Sequence, residues 1–210
     1  MKRFLNRLSA GSELADMLNH YQPYPCVVMA IPRGGVPVGF QIAQKLNCPM
    51  GLVWVKKIGH PLSPELAIGA VSPDDVLIDY KSAASAEFIH METQKIRQRF
   101  SELKEKLKDN TEDIELKGKY LILTDDGIAT GHTMIAAIRL LRKKLPKKII
   151  VAVPVAPNDA IETLTAIADD VIVLYHPEWF TGIGSFYEDF TQLTDEKVKE
   201  YLRSFTQPSS

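Results

Sequence analysis

Two adjacent carboxylates, Asp125 and Asp126, stand between an apolar run and a loop of small residues, in the stretch Leu121-Ile122-Leu123-Thr124-Asp125-Asp126-Gly127-Ile128-Ala129-Thr130-Gly131-His132-Thr133. Leu121 to Leu123 suit a strand covered on both faces. Gly127 and Gly131 permit positive φ and let a ligand approach bare backbone. Thr130 and Thr133 add hydroxyls. A helix expected over Met134–Leu145 aims free N–H groups and its positive dipole end back at the loop. Such a cradle suits an anion, most simply a phosphate monoester. Two carboxylates beside it would repel that phosphate unless something separates them. A ribose ring does so, with its 5′-phosphate in the cradle and its 2′- and 3′-hydroxyls donating to Asp125 and Asp126. The stretch lacks the Gly-Lys-Ser/Thr of a Walker loop and the three spaced glycines of a dinucleotide fingerprint. The competing structural reading is a plain strand-to-helix turn with an acidic N-cap, although turns seldom combine Asp-Asp with Gly-x-x-Thr-Gly-x-Thr.

A second strand–glycine turn–helix unit lies upstream. Cys26 to Ile31 reads as a buried strand, Pro32-Arg33-Gly34-Gly35-Val36-Pro37 as the turn, and Val38 to Leu46 as the helix. Amides freed at Gly34 and Gly35, with the Arg33 guanidinium, suit a diphosphate; alone, the turn reads equally well as structural. After a strand over Met50–Val55, residues 56–71 interleave Lys56, Lys57, His60 and Glu65 with Gly and Pro. Long loops of this kind are often functional lids. Ile68–Val71 and Val76–Asp79 would return as a β-ribbon around the Pro73-Asp74-Asp75 turn. Near the C-terminus, residues 176–187 bring Trp179, Phe180, Phe186 and Tyr187 together with Gly182 and Gly184. They either grip a flat ring or seal the sheet edge.

The elements that must position these groups alternate strand and helix. An amphipathic helix is expected over residues 9–19 with Ser12 as N-cap. A long helix over 83–109 carries one stripe of Ile89, Thr93, Ile96, Phe100, Leu103 and Leu107, read as core packing. A polar connector over 109–118 leads into the Asp-Asp strand. Ile149–Val155 and Val171–Leu174 are further strands, with a helix to Ala168 between them and a closing helix over 195–205. The pattern predicts an α/β fold, a doubly wound and mostly parallel sheet flanked by helices, with ligands at the carboxyl ends of the strands. Arg139, Arg142, Lys143, Lys144, Lys147 and Lys148 read as a solvated helix terminus. The 210 residues have a formal charge of −1, 45% hydrophobic and 24% charged content, which gives no pull toward nucleic acid or anionic membrane. Cys26 and Cys48 lack metal spacing and read as buried free thiols. There is no signal-peptide core and no apolar run of membrane-spanning length, so a cytoplasmic protein is expected.

The central stretch resembles the ribose-phosphate signature of the type I phosphoribosyltransferases. The Arg33-Gly34-Gly35 turn resembles that family's pyrophosphate loop, and the segment from Lys56 its catalytic loop. The blocks Phe4-x-x-Arg7-x-x-Ala10-Gly11, Ile-Pro-Arg-Gly-Gly and Pro-Glu-Leu-Ala-Ile-Gly-Ala-Val look like a bacterial subgroup of it. The resemblance implies one domain over 1–210, with a core at about 25–175 and a hood from about 1–22 and 175–205. It implies displacement of pyrophosphate from C1 of 5-phosphoribosyl 1-diphosphate by a nitrogen base, both small-molecule partners, with a homodimer left open. Mg2+ would ride on the ribose diphosphate, met only indirectly by Asp125 and Asp126. Arg33 and Lys57 would stabilise the leaving group, the acidic pair would hold the ribose, and Gly127, Ile128, Ala129, Thr130, Gly131, His132 and Thr133 would cradle the phosphate. Ala129 stands where the 6-oxopurine enzymes carry an aspartate, so the loop is closer to the adenine enzymes, with Glu65 as the available loop carboxylate. Phe180, Phe186 and Tyr187 would stack on the acceptor. A non-catalytic, regulatory binder of the same ligand remains the alternative. A haloacid-dehalogenase-like phosphatase ranks last, because it needs Asp-x-Asp.

Overall fold

The apolar runs become the centre of the structure, a computed structural model that describes residues 3–78, 84–107 and 114–205. The chain runs through α1 (Arg7–Met17), β1 (Cys26–Ala30), α2 (Gly35–Leu46) and β2 (Met50–Leu52), then an antiparallel ribbon of β3 (Lys56–His60), β4 (Ser63–Val71) and β5 (Val76–Ile78). It continues through α3 (Ala86–Leu107), β6 (Tyr120–Thr124), α4 (His132–Arg142), β7 (Lys148–Val155), α5 (Asn158–Thr165), β8 (Asp170–Tyr175) and α6 (Asp195–Ser204). Five strands pair in parallel in the order β2-β1-β6-β7-β8. All residues of β1, β2 and β6 are buried, which is why they read as unbroken apolar runs rather than alternating ones. Val28, Ile122 and Ile150 face Leu14, Leu18, Val38 and Ile42 of α1 and α2. Val27, Leu121 and Ile149 face Met134, Ile138, Leu141 and Leu164 of α4 and α5. Helices therefore cover both faces, as the alternation required. Strand order reverses between β1 and β6, the place where open α/β sheets bind ligands.

Several boundaries differ from the sequence expectation. The first helix starts at Arg7, because Asn6 accepts the Ser9 amide at 3.0 Å while the Ser9 hydroxyl accepts the Asn6 amide at 3.1 Å. That reciprocal cap fixes the start five residues upstream of Ser12. The next helix begins at Gly35 rather than Val38, and α4 at His132 rather than Met134. Both helix N-termini thereby move into the glycine turns. Residues 56–71 form an antiparallel hairpin rather than an irregular loop: Lys56 lies opposite Val71 and His60 opposite Ser63, with the register slipping on both sides of Gly59. Ile58 and Ile68 bury themselves beside Trp54 and Phe100, which anchors the ribbon's base. His60 Nδ1 accepts the Leu62 amide at 3.2 Å and tightens the turn. The third ribbon strand ends at Ile78; Asp79 lies outside the described residues.

Along α3 the expected stripe holds, with Thr93, Ile96, Phe100 and Leu107 buried and Ile89 and Leu103 packed against the same cluster. Residues 83 and 108–113, at its ends and in the connector, lie outside the described ones. The basic cluster after α4 is more than a solvated terminus. Arg142 pairs with Asp169 at 2.6 Å, Lys143 with Asp75, and Lys144 with Asp74 at 4.0 Å. It docks the ribbon's acidic turn onto the main body. Both cysteines are buried and free, and burial pushes their thiols up to about 11 and about 12. Among the described residues no helix is long and apolar enough to cross a membrane.

Candidate active site

Ala30 and Thr124 are register partners at the ends of β1 and β6, and the Ile31 amide donates to the Thr124 carbonyl at 2.9 Å. The turns that follow therefore start side by side. A Cβ on Gly35 would lie 2.7 Å from the Thr124 oxygen and 2.9 Å from Asp125 Cα; one on Gly34 would lie 2.2 Å from Asp126 Oδ2. Gly34 has φ −58°, which any residue adopts, so the glycine is needed for space. The first turn of α2 thus lies directly against the acidic pair, with its Gly35 and Val36 amides already donating to the Ile31 and Arg33 carbonyls at 3.0 and 3.2 Å and no N–H at Pro37. Arg33 projects from the same turn, exposed, with Nη1 3.3 Å from Oδ1 of Asp195 at the start of α6.

Within the pair the two carboxylates differ. Asp126 Oδ2 accepts from Arg7 Nε at 2.8 Å, with side-chain exposures of only 11% and 10%. Its carbonyl accepts the Tyr187 hydroxyl at 2.6 Å, and its amide donates to Asp125 Oδ1 at 2.8 Å. Burial, followed by the charge of Asp126, holds the Asp125 carboxyl well above the usual carboxylate range. Burial also raises Asp126, against the opposing pull of Arg7. Arg7 is itself fixed, donating to the Thr191 carbonyl at 3.0 Å with its guanidinium carbon 3.8 Å from the centre of the Phe190 ring.

Beyond the pair, Gly131 takes φ 75° and caps α4 without a side-chain bond. Ala129 and Thr130 are exposed, His132 and Thr133 half-buried, and Thr130 Oγ1 lies 3.2 Å from His132 Nδ1. Free first-turn amides and two threonine hydroxyls therefore surround one small open loop, an arrangement that favours an anion. The acidic pair thus lies between this loop and the Arg33-Gly34-Gly35 turn.

The phosphoribosyl transferase domain family matches residues 6–191. The chain belongs to that family. It is 36% identical over 208 residues to a Mycobacterium tuberculosis protein named "Putative phosphoribosyl transferase", covering 96% of this chain but 47% of that relative. The chain thus spans about half the length of the curated relatives it matches over most of its own. The crystal structure of TT1426 from Thermus thermophilus superposes with a TM-score of 0.86 at 34% identity, covering 95% of this chain and 97% of that one. A purine phosphoribosyltransferase from Pyrococcus horikoshii shares the fold at 16% identity, with a TM-score of 0.50 over 90% of this chain and 93% of that one.

Some residues expected to line the site are placed elsewhere. The Ile128 amide donates to the Val155 carbonyl at 2.8 Å and its side chain is buried, so neither is open to a phosphate. Gly127 accommodates chain rather than ligand: a Cβ there would lie 2.8 Å from both Ile183 and Val155. Phe186 and Tyr187, expected to stack on an acceptor, are sealed instead, at 0% and 3% exposure. Tyr187 packs with Phe4 and Ala10, and Phe186 between Tyr175 and Phe180. Phe180 is half-buried on Phe186, and Trp179 is 83% exposed, so the accessible ring surface in this segment moves to these two residues. Lys57 is half-buried on β3; Glu65 belongs to β4, but its side chain lies outside the described residues.

Sequence reasoning missed Arg7 and Asp195. Arg7 shares a helical face with Ala10, Gly11 and Leu14, all buried. A cation on that face must find a buried anion, so the need for a partner was readable although its identity was not. Asp195 follows the Thr194 cap as an ordinary first-turn acid. Lys106 foremost, then Arg33, holds its carboxyl below the usual range.

Proposed function

We propose that the protein transfers the 5-phosphoribosyl group of 5-phosphoribosyl 1-diphosphate to a nitrogen acceptor, releasing pyrophosphate in a Mg2+-dependent reaction. The observation that carries this reading is the meeting, where the strand order reverses, of the cationic Arg33-Gly34-Gly35 turn, the Asp125-Asp126 pair and the loop that opens α4. A ligand with two anionic ends joined by a hydroxylated ring complements that order of charges. The α4 end and Thr130, Gly131 and Thr133 take the 5′-phosphate, Arg33 and its turn take the diphosphate, and the acidic pair meets the ribose between them. The C1–oxygen bond breaks with its electron pair leaving on pyrophosphate, the acceptor nitrogen forms the new bond to C1, and its proton is released. Arg33 and Lys57 stabilise the charge growing on the leaving group, and carboxylate charge beside the ring favours its cationic character.

No group of three or more His, Cys, Asp or Glu side chains is placed to hold a metal among the described residues. The adjacent carboxylates of Asp125 and Asp126 suit Mg2+ carried in on the substrate, since that ion retains waters and is commonly held by one or two carboxylates plus substrate phosphates. Bound on the diphosphate beside Asp125, the ion would supply Lewis acidity for its departure. The acceptor is a flat nitrogen heterocycle closer to adenine than to a 6-oxopurine, because Ala129 offers no carboxylate to its ring. Phe180 and Trp179 supply the stacking surface. Small phosphorylated substrates and two free thiols suit a cytoplasmic setting.

The test is pyrophosphate release from 5-phosphoribosyl 1-diphosphate and Mg2+ with a panel of bases and amines. Turnover with at least one ring is expected, with adenine ahead of hypoxanthine and guanine. Mg2+-dependent binding without turnover across the panel would instead assign the regulatory role, and neither binding nor turnover would overturn the reading.

A further inference from the structure

We propose that Arg7 is a positioning residue that withdraws Asp126 from the ligand and leaves Asp125 as the carboxylate that meets the ribose hydroxyls. The inference rests on the phosphoribosyl reading above and divides its acidic pair into two jobs. Asp126 is enclosed from three directions. Its Oδ2 is bonded to Arg7 at 2.8 Å, and its carbonyl to the Tyr187 hydroxyl at 2.6 Å. Both carboxylate oxygens crowd the space above Gly34, where a Cβ would lie 2.2 and 2.8 Å from them.

Arg7 cannot easily release it. The guanidinium is braced by the Thr191 carbonyl at 3.0 Å and the Phe190 ring at 3.8 Å, so rotating Asp126 toward a ligand would strand a buried cation. Asp125 as a whole residue is half-buried where Asp126 is buried, and one of its oxygens is steadied by the Asp126 amide. The Arg7 guanidinium compensates the Asp126 carboxylate, so a polyanionic ligand does not meet that charge bare. The clamp also spans the chain, since Arg7 belongs to α1 while Tyr187, Phe190 and Thr191 come from the segment before α6. Both ends of the chain thus set the carboxylate geometry at the end of β6.

Calorimetric titration of the full chain with 5-phosphoribosyl 1-diphosphate and Mg2+ tests this, with folding of each variant checked by thermal melting. Asp125→Asn is expected to lose more affinity than Asp126→Asn. Arg7→Gln, which leaves the Asp126 charge uncompensated, should raise Kd by about tenfold or more. Arg7→Lys should recover part of that loss, and Arg7→Gln combined with Asp126→Asn should bind more tightly than Arg7→Gln alone. A purely structural Arg7 would show no such recovery. Equal losses in the two aspartate variants, or a double variant no tighter than Arg7→Gln, would overturn the division of labour; if Arg7→Gln does not fold, the aspartate comparison decides. A wild-type protein that fails to bind the ligand overturns the phosphoribosyl reading itself, which separates that failure from this one.

Discussion

Replacing Gly34 by alanine adds one methyl group at the contact between the two glycine turns, and its cost can be worked from the geometry. The backbone there, φ −58° and ψ −40°, is helical, so alanine brings no conformational penalty. It should gain about 0.4–1 kcal/mol by restricting the unfolded chain. Against this, the new Cβ would sit 2.2 Å from Asp126 Oδ2 and 2.4 Å from Cγ. Ordinary contact requires the carboxylate to retreat by about 1 Å. Its retreat is opposed by Arg7 at 2.8 Å, so either the turn shifts or the charge-assisted bond stretches. Overpacking costs about 1–3 kcal/mol and the strained charged bond up to about 1.5–3 kcal/mol. A net loss of about 2–5 kcal/mol is expected from urea denaturation at neutral pH. The decisive comparison is the same substitution in an Asp126→Ala background. The colliding atoms are then gone, and Gly34→Ala should become neutral or stabilising by up to about 1 kcal/mol. An equal penalty in both backgrounds would refute the collision and return Gly34 to a backbone role.

Thr124 Oγ1 is buried with no hydrogen-bond partner, so Thr124→Val should be neutral or stabilise by about 1–3 kcal/mol in urea denaturation; a loss above about 1 kcal/mol would contradict this. Because the folded Asp125 carboxyl is raised above its unfolded value, the folded state holds its proton to higher pH. Stability from this group is therefore greatest at and below the ordinary carboxylate range and falls as pH rises toward the folded value. Asp125→Asn should accordingly raise the unliganded melting temperature at pH 7–8, with the gain vanishing toward pH 4; a gain independent of pH would refute the linkage. Arg33→Ala should weaken pyrophosphate binding by about 1.5–3 kcal/mol and ribose 5-phosphate much less, measured by calorimetry. Asp195→Asn should tighten pyrophosphate slightly, by at most about 1 kcal/mol, because the Arg33 pair it breaks is partly exposed and screened.

The strands and the acidic turn were legible because their signals are local. β1 and β6 are buried on both faces, which forces consecutive apolar residues, and the two glycine turns follow them directly. Arg7 was illegible as a site residue because its partner lies 119 positions away. Nothing in the neighbourhood of Arg7 names Asp126. The hairpin over residues 56–71 was obscured by its own irregularity: the register slips on both sides of Gly59, which erases the alternation a strand should show. Aromatic content near the C-terminus signalled ring surface but not which rings are covered. Phe186 and Tyr187 are spent on closing the hood because Phe4 adds an edge to that segment, its amide donating to the Phe186 carbonyl at 2.8 Å.

The two chain ends treat the site differently, and the difference follows from burial. The N-terminal helix places Arg7 on Asp126 in a pair almost sealed from solvent, whereas the C-terminal helix places Asp195 on an Arg33 side chain that is 40% exposed. A sealed pair is expensive to break, since each partner would be left charged without water. A partly exposed pair exchanges one counter-ion for another at little cost, and salt weakens it further. Under the proposed function, the carboxylates offered to the ribose are preset by the fold, while the Arg33 offered to the diphosphate is held by a contact that an incoming polyanion can replace. Lys106 shares Asp195 at 2.9 Å and Glu196 at 3.2 Å, so the displaced carboxylate keeps a partner on α3 when Arg33 turns to the ligand. On that proposal, diphosphate capture would require only that one guanidinium change its acceptor, while the sealed Arg7–Asp126 pair stays in place.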